Sequence, residues 1–86
     1  MDIGVEISLY PLQADYAAAI HDFIGRLQAD ARLRVDTNSV STQVYGAYED
    51  VMAALGRELR PTFAAAADAG RRAVFVLKVL GPLAPA

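Results

Sequence analysis

Two hydrophobic periods, alternating in a set order, constrain this chain more than any other feature of its sequence. From Ile3 to Tyr10 apolar and polar residues alternate, with Ile3, Val5, Ile7 and Leu9 on one side and Gly4, Glu6, Ser8 and Tyr10 on the other. That period of two predicts a strand with one apolar face. Pro11 lacks an N–H for the ladder and is expected to end the strand. Asp15 then stands where an N-cap belongs. Beyond it Tyr16, Ile20, Phe23, Ile24 and Leu27 recur at spacings of three and four, the stripe of an amphipathic helix, and His21, Asp22 and Arg26 face away.

Alternation returns from Leu33 to Thr37, with Arg34 and Asp36 outward. It passes through Asn38-Ser39, which has hairpin-turn chemistry, and resumes with Val40, Thr42 and Val44 opposed to Ser41, Gln43 and Tyr45 before Gly46 closes the strand. A second helix begins near Tyr48 and buries Val51, Met52, Leu55 and Leu59. Pro61 predicts a kink or break in it, with Phe63 still packed. Ala64 to Ala67 favour helix, and Gly70 suits the left-handed position beyond a helix C-terminus. A last strand, Arg72 to Leu80, sets Phe75, Leu77 and Val79 against Val74, Val76 and Lys78, and residues 81–86 are expected to form a loose tail.

The order βαββαβ predicts an α+β, ferredoxin-like sandwich: a four-stranded antiparallel sheet of order 4-1-3-2 with both helices on one face. Eighty-six residues suffice for one such domain, spanning 1–86, and for no second. The apolar faces then meet the helices. Glu6, Ser8, Tyr10, Ser41, Gln43, Tyr45, Val74, Val76 and Lys78 share the other face, uncovered.

Composition narrows what that face can do. A net charge of −2 without a basic cluster offers nucleic acid little counterion release, so it is not expected as a partner. The absence of cysteine removes disulfides, thiol nucleophiles and thiolate metal sites. No apolar run approaches the roughly 20 residues of a membrane helix, and the N-terminus, acidic at Asp2 and interrupted by Glu6, is a poor signal peptide. A cytoplasmic protein is expected. Hydrophobic residues form 55% of the chain, more than one small core hides, which points to a homo-oligomer, a dimer or tetramer.

A solvated face with a Glu6–Lys78 ion pair is the simplest reading of the open side. Its apolar members, Val74, Val76, Tyr10 and Tyr45, favour association, yet burying Glu6 and Lys78 requires partners for both charges. His21, the one histidine, lies on a polar helix face with no metal partners and is read as solvated. Gly70-Arg71-Arg72 is a turn, and no phosphate-loop or dinucleotide-binding pattern occurs.

Three segments resemble a known family, the small YkoF-type proteins that bind thiamine and its hydroxymethylpyrimidine moiety. They are Glu6-Ile7-Ser8-Leu9-Tyr10-Pro11-Leu12, the stretch N-S-V-S-T-Q-V-Y-G from Asn38 to Gly46, and Val74-Phe75-Val76-Leu77-Lys78. Two positions depart from the family's pattern: Ala47 stands in place of a small acidic cap, and Pro61 interrupts a helix that is usually continuous. The resemblance implies a ferredoxin-like fold, an oligomer of single domains and a ligand near the open sheet surface. The residues it nominates are Glu6, Ser8, Tyr10, Asn38, Ser41, Thr42, Gln43, Tyr45 and Lys78. Of these, Asn38 and Thr42 are the weaker candidates, Thr42 pointing to the core by alternation.

An aminopyrimidine's ring acceptors and exocyclic amine suit the Ser8 and Ser41 hydroxyls, the Gln43 amide and the Glu6 carboxylate. Glu6 also compensates the thiazolium cation, and Tyr10 or Tyr45 can stack on a ring. Micromolar affinity requires about 8 kcal/mol, whereas each hydrogen bond to a charged group contributes roughly 1.5–3 kcal/mol before ordering costs. A flat face is insufficient, so enclosure by a second subunit or by Pro11 to Tyr16 belongs to the expectation. The expected function is non-enzymatic ligand binding, with no cofactor and no metal. Two alternatives stand beside it: a structural oligomerisation module, and a small cofactor-independent enzyme with Glu6 as base.

Overall fold

In the computed structural model, which describes residues 1–38 and 41–84, the elements follow in the order β1 (Asp2–Pro11), α1 (Tyr16–Gln28), β2 (Arg34–Thr37), β3 (Thr42–Ala47), α2 (Tyr48–Asp68) and β4 (Ala73–Leu80). The strands form one antiparallel sheet ordered β2-β3-β1-β4, the expected order read from its other edge. The fold is α+β. Ile3, Val5 and Ile7 of β1 and Val44 of β3 meet Phe23 and Leu27 of α1 and Val51, Ala54 and Leu55 of α2 in one core, so both helices lie on the same side of the sheet. Among the described residues no helix is long and apolar enough to cross a membrane.

The strand bounds differ from expectation for reasons of hydrogen bonding. β1 ends at Pro11 as expected, with the proline itself as its last residue, paired with Ala73. Its nitrogen faces away from β4, where β3 no longer runs, so no ladder bond is lost. Gly46 lies inside β3 and does not close it. A Cβ there would stand 3.2 Å from the Arg32 carbonyl oxygen and 3.3 Å from both Leu33 and Val51, so glycine lets β3 pass close to the chain entering β2. The turn spans Asn38 to Ser41: the Asn38 N–H donates to the Ser41 carbonyl (3.1 Å) and the Ser41 N–H to the Asn38 side-chain oxygen (3.0 Å). Ser39 and Val40, assigned to this turn and to β3, lie outside the described residues.

The helix predictions divide similarly. Asp15 is the N-cap residue of α1 by position but makes no capping bond. Its carboxylate accepts from Gln13 (2.9 Å) and faces Arg71 (3.7 Å) instead. Phe23 and Leu27 are buried, Ile20 and Ile24 half-buried and Tyr16 exposed; Met52, expected in the core, is also exposed. At Gly70 the left-handed backbone (φ +67°) appears as expected, and the Gly70 and Arg71 N–H groups close onto the Ala67 and Ala66 carbonyls at 3.0 and 2.8 Å. This is the double bond of a Schellman helix end.

Pro61 neither ends nor splits α2, which runs unbroken from Tyr48 to Asp68. Proline removes the donor for the Arg57 carbonyl on a turn where Arg57 and Pro61 are both exposed. Arg26 of α1 holds the chain on either side of the proline. Its guanidinium donates to the Glu58 carboxylate, the Glu58 carbonyl and the Thr62 hydroxyl, each at 3.0 Å. Beyond β4 the chain is tied back at Leu83 rather than loose: the Leu83 N–H donates to the Asp2 carbonyl (2.9 Å) and its side chain reaches Gly4. Pro85 and Ala86, the rest of the expected tail, lie outside the described residues.

Candidate functional site

The uncovered face follows from alternation and register. Glu6 is flanked by Gln43 on β3 and Lys78 on β4, and Gly4 by Tyr45 and Leu80. Lys78 Nζ stands 3.7 Å from Glu6 Oε1, with the two side chains 78% and 44% exposed. This pair sits in water, so neither charge imposes the burial cost that a covered face would. From Glu6 the polar chain continues sideways: Ser41 donates to the Glu6 carboxylate (3.5 Å) and accepts from the Gln43 amide (2.7 Å). The Tyr45 ring packs against Gly4, where a Cβ would be 3.0 Å from it, and under the Arg34 guanidinium, 4.3 Å from the ring centre.

The nominated residues divide between two recesses. Glu6, Gln43, Tyr45 and Lys78 line a shallow recess of about 330 Å³ on the open face. Ser8, Tyr10, Asn38, Ser41 and Thr42 surround a cavity of about 170 Å³ at the end of the sheet, under α1. Ser41 bridges the two. Thr42 is buried, as its core-facing register predicts, and its hydroxyl pairs with that of Thr37 at 3.0 Å.

The cavity lies where β1 continues along β4 past the described part of β3. Among the described residues the last β1–β3 pair is Ile7↔Thr42, whereas β1 stays paired with β4 to Pro11. The Tyr48 N–H donates to the Met1 carbonyl on the β3 side and the Leu12 N–H to the Arg72 carbonyl on the β4 side. Antiparallel ladders alternate, so odd-numbered residues of β1 direct their N–H and C=O towards β3. The backbone donor and acceptor of Leu9, which also lines the cavity, are therefore directed to the β3 side of the strand. Ile20 and Ile24 of α1 roof the cavity beside Thr37. Sequence periodicity assigned both isoleucines to the core. What sets them apart is their place over a cavity at the end of the sheet, which a hydrophobic pattern does not report.

The carboxylates with lowered pKa lie elsewhere, on the helical layer. Asp30 accepts from Arg32 Nη2 (2.8 Å), Nε (3.0 Å) and backbone N–H (3.1 Å), and from Arg57 (3.1 Å). The Arg32 side chain chiefly holds the Asp30 carboxyl far below the usual carboxylate range. Glu58 is lowered as well, first by Arg57 and also by Arg26. These groups tie the helices to the chain entering β2 and do not face the cavity.

Residues 2–70 match the YKOF-related family. The chain belongs to that family. Its fold recurs in solved structures of other organisms at identities that establish the fold alone. A Streptococcus pneumoniae protein superposes with a TM-score of 0.83 at 19% identity, over 96% of this chain and 89% of that one. A Thermotoga maritima protein, provisionally assigned to thiamine biosynthesis or salvage, gives a TM-score of 0.77 at 20% identity, over 92% and 82%. A hypothetical protein of Methanocaldococcus jannaschii gives 0.77 at 19%, over 99% and 84%. No curated protein matches this YKOF-related chain.

Proposed function

We propose that this ferredoxin-like YKOF-related domain binds thiamine or its hydroxymethylpyrimidine moiety in the cytoplasm and does not transform it. The observation that carries the proposal is the convergence of Ser8, Tyr10, Asn38, Ser41 and Thr42 on one cavity, which Leu9 also lines. A 2-methyl-4-aminopyrimidine presents a ring acceptor beside an amine donor, the complement of a strand's N–H and C=O. Drug-sized ligands occupy about 300–1,000 Å³. The 170 Å³ cavity accordingly takes a single ring and leaves the remainder of thiamine over the open face. There Glu6, in the adjoining recess, meets the thiazolium cation, with Ser41 between the two parts. A second subunit covering the open face supplies the enclosure that affinity demands, and neither a metal nor a cofactor is required. The names of the family and of the Thermotoga maritima neighbour support a thiamine-related role.

Calorimetric titration of thiamine and of hydroxymethylpyrimidine tests this, with mass spectrometry of the recovered ligand. The protein should bind both. Ser41→Ala should weaken both about tenfold, the equivalent of one net hydrogen bond. Glu6→Ala should weaken thiamine more than the pyrimidine. No heat at millimolar ligand would end the binding proposal, and a chemically altered ligand would make the protein an enzyme.

A further inference from the structure

The cavity at the end of the sheet is polar on one side and apolar on the other. Ser8 and Tyr10 stand on the open face with Glu6, whereas Ile7 and Leu9 alternate with them and face the helices. On that helical side Phe23, Ile20 and Ile24 of α1 close the cavity. Phe23 is buried, but Ile20 and Ile24 are only half-buried. The same two isoleucines line a second groove of about 560 Å³, along the seam between α1 and the end of β2. Ile20, Ile24, Thr37 and Asn38 belong to both spaces, and His21 and Gln28 complete the rim of the groove. Cavity and groove therefore adjoin, with isoleucine side chains between them. Among the described residues no carboxylate, lysine or arginine lines either space, so an ionised group finds no partner there and an apolar one loses nothing.

The chemistry of the ring decides which end of it meets that wall. In a 2-methyl-4-aminopyrimidine the methyl-bearing carbon, C2, lies opposite C5, the carbon that links to the thiazolium. With C5 directed past Ser41 towards Glu6, C2 is directed the other way, to the apolar side. We infer that Ile20 and Ile24 hold the C2 substituent of the pyrimidine, and that the groove beyond them admits a longer alkyl chain at that carbon. The two isoleucines then set specificity at C2, packing on a methyl group and letting an ethyl or propyl group pass between them. This inference rests on the ligand reading and extends it to residues that meet no polar group of the ligand. The 170 Å³ of the cavity is taken up by the ring itself, so each further carbon has to enter the groove.

A series of 4-amino-5-hydroxymethylpyrimidines with hydrogen, methyl, ethyl or n-propyl at C2 tests this by calorimetry. Each carbon should tighten binding about two- to fourfold, as partial to full burial of one methylene gives. Nuclear Overhauser contacts should join the C2 chain to the Ile20 and Ile24 methyl groups. Ile24→Phe and Ile20→Phe thicken the wall between cavity and groove. Either should abolish the gain from methyl to propyl, while the compound with hydrogen at C2 binds as it does to the parent protein. Failure of every compound to bind would overturn this inference together with the ligand reading. Binding of the methyl compound without a gain from methyl to propyl would overturn the inference alone. So would an undiminished gain in both variants, or Overhauser contacts from the chain to other residues only. Should a variant fail to fold, the compound series and the contacts in the parent protein decide.

Discussion

Arg26→Met removes the guanidinium that grips α2 around Pro61 while keeping most of the side chain's apolar length. Three hydrogen bonds are lost, to the Glu58 carboxylate, the Glu58 carbonyl and the Thr62 hydroxyl, each 3.0 Å long. Arg26 and Glu58 are 24% and 12% exposed, so each bond is discounted from the charged, buried range to about 1 kcal/mol. The pair with Asp22, one helical turn away and 71% exposed, adds about 0.3–0.5 kcal/mol. Glu58 keeps Arg57 at 2.7 Å and is not orphaned. Restored packing by Met offsets part of the loss, which leaves a net destabilisation of about 2–3 kcal/mol. In a chain of this size that is a fall in Tm of roughly 10–20 °C. Urea and thermal unfolding followed by circular dichroism measure it. The same substitution in a Pro61→Ala background, where the Arg57 carbonyl regains its amide donor, should lose about 1 kcal/mol less. A loss below about 0.5 kcal/mol, or equal losses in the two backgrounds, would refute the idea that Arg26 keeps α2 continuous through its proline.

Other perturbations probe separate parts of the molecule. Gly46→Val should destabilise by about 1–3 kcal/mol in urea unfolding, because the Arg32 carbonyl and Val51 already stand within 3.3 Å of a Cβ there. Gly70→Ala should cost about 1 kcal/mol and Gly70→Asn less, since φ is +67° at that helix end. Asp30 has a folded pKa far below its ordinary value of 3.8, so its contribution is present above that value and is lost as pH falls below it; Glu58 acts in the same direction. Unfolding free energy measured down to about pH 2 should fall on this acid limb, and Asp30→Asn should flatten the limb. Glu6→Gln should change stability by less than about 0.5 kcal/mol, the exposed pair with Lys78 being weak, while reducing thiamine affinity by calorimetry.

Much of the architecture was legible in the residues because periodicity reports which side of an element meets a core. The period of two placed Glu6, Ser8, Gln43 and Lys78 on one face, and the pairings Glu6↔Gln43 and Glu6↔Lys78 put them there. Gly70 was legible as a helix end because a positive φ is a property of the residue itself. Asp15 was legible in position only, since its carboxylate had other partners within reach in Gln13 and Arg71. The continuity of α2 was not legible, because Arg26 stands more than thirty residues before Pro61 and no local rule connects them.

The sequence by itself determined the element order, the facing of each strand and the left-handed helix end, all of which depend on local stereochemistry and on apolar spacing. Tertiary structure alone decided that the nominated residues separate into a cavity and a shallow recess joined at Ser41, and that Leu77 and Val79 remain exposed on an edge strand. The physical reason is that relative strand length and helix coverage are set by contacts between distant segments, and a periodic pattern contains no measure of where a neighbouring element stops.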